Sequence, residues 1–250
     1  MSKNKERFFA EYGDSDHLKS ALNHPDLEIN KLAFSNTNIT KEHIDKALNN
    51  KDKYVRKAAI ENPNVTKKHL DKALNDEDAY VRATATKNPN VTKEHIHKAL
   101  NDEDENVRVA ALCSSHVTKE HIHKALDDES ELTRRSAINN PKVDADHITK
   151  ALDDNNKFIR VAAIHNPKAT KEHIDKALTD KDEYVRKSAI FNSNVTKEHI
   201  DKAMSDKDDL VRGVAVRHLK ATKEHIDKGL IDKVDWIRRV AKEIKDKRNL

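Results

Sequence analysis

A 26-residue period runs through almost all of this 250-residue chain, and it constrains the fold more than any other feature. The phrase NVTKEHIDKAL returns with small changes. Its threonine position falls at Asp14, Thr40, Thr66, Thr92, Thr118, Asp144, Thr170, Thr196 and Thr222, with no insertion between repeats. Nine repeats therefore start at residues 14, 40, 66, 92, 118, 144, 170, 196 and 222, and positions below are counted from each start as zero.

Each repeat reads as a helical hairpin. Thr or Asp at position 0 is a good N-cap, because its side-chain oxygen accepts from a free backbone N–H. Ile44, Ala47 and Leu48 then follow at i, i+3 and i+4, one apolar helical face. A polar turn such as Asn75-Asp76-Glu77-Asp78 separates the helices, with Asp78 capping the second. Val55, Ala58 and Ala59 mark the inner side of that helix, and Asn62-Pro63 is expected to end it through the proline. Helices of two to three turns are unstable alone, so the hairpins must stack and bury their faces on one another. The small residues Ala47, Ala73 and Ala99, and Ala59, Ala85 and Ala111, permit close approach.

Composition agrees with such a thin-cored architecture. Only 36% of residues are hydrophobic and 37% are charged, while Gly (three) and Pro (five) are scarce. The fold class expected is all-α: a right-handed α-solenoid of nine two-helix repeats with terminal caps. Residues 1–13 form an N-terminal capping segment in which Phe8, Phe9 and Tyr12 cover the first repeat. Residues 14–246 form a single solenoid domain whose last repeat carries Trp236 in place of Tyr, and 247–250 form a charged tail. Nine layers at roughly 10 Å each give a rod or arc on the order of 90 Å. Small-angle scattering is expected to return a radius of gyration well above the roughly 18 Å of a globule this long, and a compact value would sink the solenoid reading.

Val81-Arg82, Asn88-Pro89-Asn90-Val91-Thr92, Ile96, Ala99 and Leu100 resemble the leucine-rich-repeat-variant pattern. An Asp six residues before an Arg resembles a HEAT repeat. The resemblance covers about residues 14–246 and implies an α-solenoid, a fold whose members bind proteins, nucleic acids or cofactors. A founding member of the variant family carries an iron–sulfur cluster, and some HEAT-like proteins are DNA glycosylases. The single Cys113 cannot supply a cluster's thiolates, and no matching catalytic constellation is present, so neither a cofactor nor catalysis is expected.

Two rows of polar residues invite functional readings. His17, His43, His69, His95, His121, His147, His173, His199 and His225 occupy position 3 throughout. Zinc needs ligand nitrogens about 2.0–2.1 Å away, whereas stacked layers lie roughly 10 Å apart. These histidines are therefore expected to be half-buried turn partners rather than metal ligands. His97 and His123 make His-x-His pairs whose members diverge on a helix. Arg56, Arg82, Arg108, Arg134, Arg160, Arg186, Arg212 and Arg238 form the second row. Asp76, Asp102, Asp128, Asp154, Asp180, Asp206 and Asp232 stand six residues ahead of seven of them, which predicts structural ion pairs within and between layers.

Positions that every layer repeats serve the stack, so binding should fall on positions that vary on an exposed face. Positions 17 and 21 of the second helix vary freely, and solenoids of this kind commonly line their concave surface with that helix. Seven of their eighteen residues are basic and two are acidic, while position 13 is acidic in Glu105, Glu131, Glu183, Asp209 and Asp235. A duplex-binding surface would be more uniformly basic. Mixed charge with an aromatic favours a protein partner. The candidate partner-binding residues are Lys57, Lys87, Arg135, Val161, His165, Lys187, Phe191 and Arg217. The expected function is a non-catalytic scaffold gripping a protein through its concave face. The alternative is a nucleic-acid-binding solenoid that sets its basic stripe on phosphates. The Lys, Asn, Asp and Ile bias suggests an AT-rich genome, and a viral or bacterial inhibitor or adaptor would fit that origin. With no signal-peptide core near the start and no apolar run of membrane length, the expected location is cytoplasmic.

Overall fold

The computed structural model describes residues 3–22, 24–36 and 38–249, apart from the side chains of Phe9, Tyr12, Ser15, Asp16, Lys19 and Leu27. Every regular element among the described residues is an α-helix. The helices are α1 (Lys3–Tyr12), α2 (Ser15–Ala21), α3 (Leu27–Ser35), α4 (Lys41–Ala47), α5 (Lys53–Glu61), α6 (Lys67–Ala73), α7 (Ala79–Ala85), α8 (Lys93–Ala99), α9 (Glu105–Leu112) and α10 (Lys119–Ala125). They continue with α11 (Glu131–Ile138), α12 (Ala145–Ala151), α13 (Lys157–His165), α14 (Lys171–Ala177), α15 (Glu183–Ile190), α16 (Lys197–Ala203), α17 (Asp209–Arg217), α18 (Lys223–Leu230) and α19 (Asp235–Arg248). The chain divides into two compact units, Met1–His121 and Ile122–Leu250.

In the first unit α1, α3, α5, α7 and α9 lie against one another in sequence, as do α11, α13, α15, α17 and α19 in the second. First helices approach one another less closely, so the second-helix side is the tighter side of each stack. Between the layers sit fully buried aliphatics such as Leu70 and Ile96 in the first unit, and Ile148 and Ile164 in the second. The apolar face predicted for each helix is thus its buried face.

The first helix of most repeats begins with a capping box in which histidine takes the role usually held by Glu or Gln. In α6 the Thr66 N–H donates to His69 Nδ1 at 3.0 Å, and the His69 N–H donates back to Thr66 Oγ1 at 3.4 Å. The same reciprocal pair opens α4, α8 and α12. With Nδ1 accepting, Nε2 carries the proton and points to position 5 of the preceding repeat. It meets Asp71 from His95 at 3.1 Å, Asp201 from His225 at 2.9 Å and the Thr149 hydroxyl from His173 at 2.9 Å. These imidazoles are buried rather than half-buried, His225 completely so. Both ring nitrogens are already engaged, Nδ1 in capping its own helix and Nε2 in holding one layer to the next.

Burial holds His69 and His173 below the ordinary histidine value of 6.5. Their folded pKa therefore lies beneath the unfolded one, and the unfolded chain takes the proton first. Their contribution is complete above about pH 6.5 and is lost as pH falls through that value toward the folded pKa. Denaturant midpoints are expected to decline between about pH 7.5 and 5. A flat profile there would mean that the two rings stay solvated in the folded chain.

Arg56, Arg82, Arg134, Arg160, Arg186 and Arg212 make their ion pairs across layers, whereas Arg238 pairs with Asp235 of its own helix. Arg82 Nε and Nη2 donate to both carboxylate oxygens of Asp102, each at 2.8 Å, twenty residues on in the next repeat. The Asp six residues ahead contributes its carbonyl: Arg82 Nη1 donates to Asp76 O at 2.9 Å. Each aspartate thus presents its carboxylate to the preceding layer and its backbone to its own arginine. Arg160–Asp180, Arg186–Asp206 and Arg212–Asp232 repeat the arrangement in the second unit. Arg212, donating to Asp232, holds that carboxyl below its ordinary 3.8.

A third row, at the helix stop, also joins the layers. Asn88 is buried at the end of the second helix, and its Nδ2 donates to the preceding repeat's Ile60 carbonyl at 2.7 Å and to Asn62 O at 3.3 Å. Asn62, Asn166 and Asn192 do the same one layer back. Proline is not what ends these helices. Ser193 stands where other repeats have Pro, yet α15 still stops at Ile190 and Asn192 still bonds to Ile164 O.

The ladder also explains the N-terminal cap. Asn36 Nδ2 reaches Ala10 O and Gly13 O, so α1 behaves like a second helix without its partner. Ala10 is buried, whereas Phe8, expected to cover the first repeat, is 59% exposed. The side chains of Phe9 and Tyr12 lie outside the described residues. At the other end, α19 buries Ile237 and Ala241 and continues to Arg248, whose guanidinium donates to Ala221 O at 2.8 Å.

Candidate functional site

The second helices leave one face uncovered in each unit, and the candidate residues fall on it unevenly. In the second unit, Arg135, Val161 and His165 come together. With Asn139, Phe158, Ala162, Asn166 and Pro167 they line an open cleft of about 380 Å³ between α11 and α13. Arg135 and His165 are exposed and Val161 half-buried.

The other candidates in this unit are single features of the same face. Lys187 is half-buried and its ammonium lies 4.9 Å from the centre of the Tyr184 ring. Phe191 is 63% exposed at the C-cap of α15, so it does not fold down onto the following turn. Arg217 lies 5.6 Å from the Trp236 ring. In the first unit, Lys57 is tied to Glu61 at 2.7 Å, and Lys87 is exposed at the end of α7.

Position 17 is not on the surface in every repeat. Gly213 is buried because Trp236 lies over it, and a Cβ there would fall 1.9 Å from the ring. Trp236 is the chain's single tryptophan, so its emission reports this contact directly. Gly213→Leu is expected to push the indole toward water and red-shift its emission. Unchanged emission would mean the ring does not rest there.

The strongest feature of the face was missed in the sequence. Position 14, the second residue of the second helix, carries Tyr54, Tyr80, Leu132, Phe158, Tyr184 and Leu210, and all are exposed, Tyr80 by 71%. Lysines lie over several of these rings: Lys53 is 5.4 Å from Tyr80, and Lys157 is 4.7 Å from Tyr184. The signal was available. A large side chain recurs at one register, but recurrence was assigned to the stack. The stack does not bury it, since Val55 and its equivalents form the buried side; its contacts with the neighbouring layer are those lysines.

Two ring contacts lie on the first-helix side. His97 sits 5.9 Å from His121 in the first unit, and His123 sits 6.0 Å from His147 in the second. They occur where histidine replaces the usual Asp at position 5. Among the described residues no group of three or more His, Cys, Asp or Glu is placed to hold a metal ion. No helix among them is long and apolar enough to cross a membrane.

No family model and no curated protein matches the sequence. Among solved structures, one described as a leucine-rich repeat variant with a novel repetitive protein structural motif is similar to this chain. The two share a TM-score of 0.69 and 17% identity over 89% of this chain and 88% of that one. At that identity the likeness speaks to fold alone, and with the repeated hairpins above it shows that the chain has the α-solenoid fold of a leucine-rich repeat variant.

Proposed function

We propose that this repeat scaffold is non-catalytic and grips a protein partner through the second-helix face, with the cleft at Phe158, Val161 and Arg135 at its centre. The observation that carries the reading is the row of exposed aromatic and aliphatic side chains at position 14, above all Phe158 and Tyr184. They are too exposed to stabilise the stack and sit beside cationic groups. Aromatic and arginine side chains are the usual anchors of protein interfaces. Acidic residues at position 13, Glu131, Glu183 and Asp209, border the same face and would repel a phosphate backbone.

The test is capture from extract of the native host, with nucleic acid left intact or digested. A protein retained under both conditions by the wild type and lost by a Phe158→Asp/Tyr184→Asp variant of unchanged melting temperature is the expected result. Retention that vanishes with nuclease would replace this reading with nucleic-acid binding through the basic residues.

A further inference from the structure

The row at position 14 is apolar, keeps a single register and runs over successive layers. In the second unit it consists of Leu132, Phe158, Tyr184 and Leu210, one each from α11, α13, α15 and α17, all between 44% and 59% exposed. The Phe158 and Tyr184 ring centres lie 5.8 and 4.7 Å from the same Lys157 ammonium. Adjacent rings of the row therefore stand no more than roughly 11 Å apart, in keeping with the roughly 8–10 Å between packed helices. Tyr54 and Tyr80 share Lys53 in the same way in the first unit, at 5.7 and 5.4 Å.

Beside this row, charge is divided along the second helices. Carboxylates stand at position 13, in the first turn: Glu131, Glu183 and Asp209. Neutral donors hold two of them, the Asn156 amide on Glu131 at 2.6 Å and the Trp236 indole N–H on Asp209 at 3.2 Å, and leave their charge in place. Lys157, the cation at this position, has its charge met by Asp182 at 3.2 Å. Arg135 and Lys187 at position 17 and Arg217 at position 21 carry the opposite sign. At about 1.5 Å per residue, these two positions lie about 6 and 12 Å further along the helix axis. The face is thus apolar and acidic along one edge and basic along the other.

Spacing and width together select the occupant. Seven residues of an α-helix advance about 10.5 Å and return close to the same side, so one heptad matches one layer. In a β-strand, side chains return to one side in steps of about 6.7 Å, and neither one step nor two matches the layers. A helix with its side chains is about 10–12 Å across, enough to meet the acidic edge with one flank and the basic edge with the other.

We infer that the face of α11, α13, α15 and α17 binds an amphipathic α-helix of a protein partner, laid across the four helices at about one heptad per layer. Its apolar stripe sits on the position-14 row, with a basic flank toward position 13 and an acidic flank toward positions 17 and 21. This rests on the protein-binding reading and narrows it to one class of segment.

The probe is a fluorescent peptide of three heptads with Leu at the first and fourth positions, Lys along one flank of that stripe and Glu along the other. It is used below the concentration at which it self-associates. Its comparators carry Glu on both flanks, Lys on both flanks, or a helix-breaking Pro in each heptad. The two-sign helix is expected to give saturable anisotropy and to bind at least about tenfold tighter than every comparator. Leu132→Asp/Leu210→Asp, which removes both ends of the row, should weaken it at least about tenfold at unchanged melting temperature. No saturation, equal binding of the Pro peptide or of a single-sign peptide, or undiminished binding to the Leu132→Asp/Leu210→Asp variant would overturn the inference. A random peptide library panned on the same protein separates this inference from the reading it rests on. Selected peptides that are lost with Phe158→Asp/Tyr184→Asp but lack a helical apolar pattern would leave the protein-binding reading intact and remove the helix. No selected peptide at this face would remove both.

Discussion

Replacing Arg160 by alanine is expected to lower the free energy of unfolding by about 3–5 kcal/mol, the usual cost of breaking a buried ion pair from one side. Arg160 donates to both oxygens of Asp180, at 2.7 and 2.9 Å, and to the carbonyls of Asp154 and Asn155. The two side chains are only 4% and 10% exposed. Truncating the arginine strands a desolvated carboxylate and two carbonyls. Asp180→Ala should cost a comparable amount, and the double variant should cost clearly less than the two combined, because the second truncation removes the group that the first one stranded. Chemical denaturation of the three variants checks this. Additive costs would show that the residues do not act as a pair.

Replacing Asn192 by alanine is expected to cost about 3 kcal/mol, since each stranded buried polar group costs about 1–3 kcal/mol. Its Nδ2 satisfies Ile164 O in the preceding layer, and its Oδ1 accepts from the Asn194 N–H at 2.8 Å. Restoring proline beside it, Ser193→Pro, should recover little of that loss, because the amide rather than the proline joins the layers. Full recovery in Asn192→Ala/Ser193→Pro would return the helix stop to proline. Since layers touch only their neighbours, amide exchange in this variant should rise most around α13 and α15.

Much of the fold was legible because a repeat states its own register. Thr66, Ile96 and Asp78 each mark a helix start or a buried face in the sequence, and each does so in the structure. What stayed hidden was whatever depends on the layer above or below. Asp76 lies nearer Arg82 in sequence than Arg56 does, yet its carboxylate belongs to Arg56. Only the stacking geometry brings residues twenty apart into contact. The asparagine ladder has the same cause, as its acceptors are carbonyls one repeat earlier.

The candidate site was legible in part for a different reason. Position variability singles out Arg135, Val161 and His165, and the structure brings these three together in one cleft. The same position 17 holds Gly213 in the repeat from 196, where Trp236 fills the space a side chain would need. Position variability excluded Tyr184 and Phe158, because recurrence was equated with burial. Amphipathic periodicity separates the faces of a helix but does not say which half of the polar face a neighbouring layer leaves open. That is fixed by how closely the second helices approach.

The account divides the chain into recurrent polar rows that build the stack and an exposed second-helix face that binds. Melting temperature and affinity for the captured partner, measured together on Arg160→Ala, Phe158→Ala and Arg135→Glu, test that division most directly. Phe158→Ala and Arg135→Glu should keep the wild-type melting temperature and lose at least about tenfold in affinity, while Arg160→Ala should melt early and bind normally at low temperature. Normal affinity in both face variants, or a fall in their melting temperature matching that of Arg160→Ala, would contradict it.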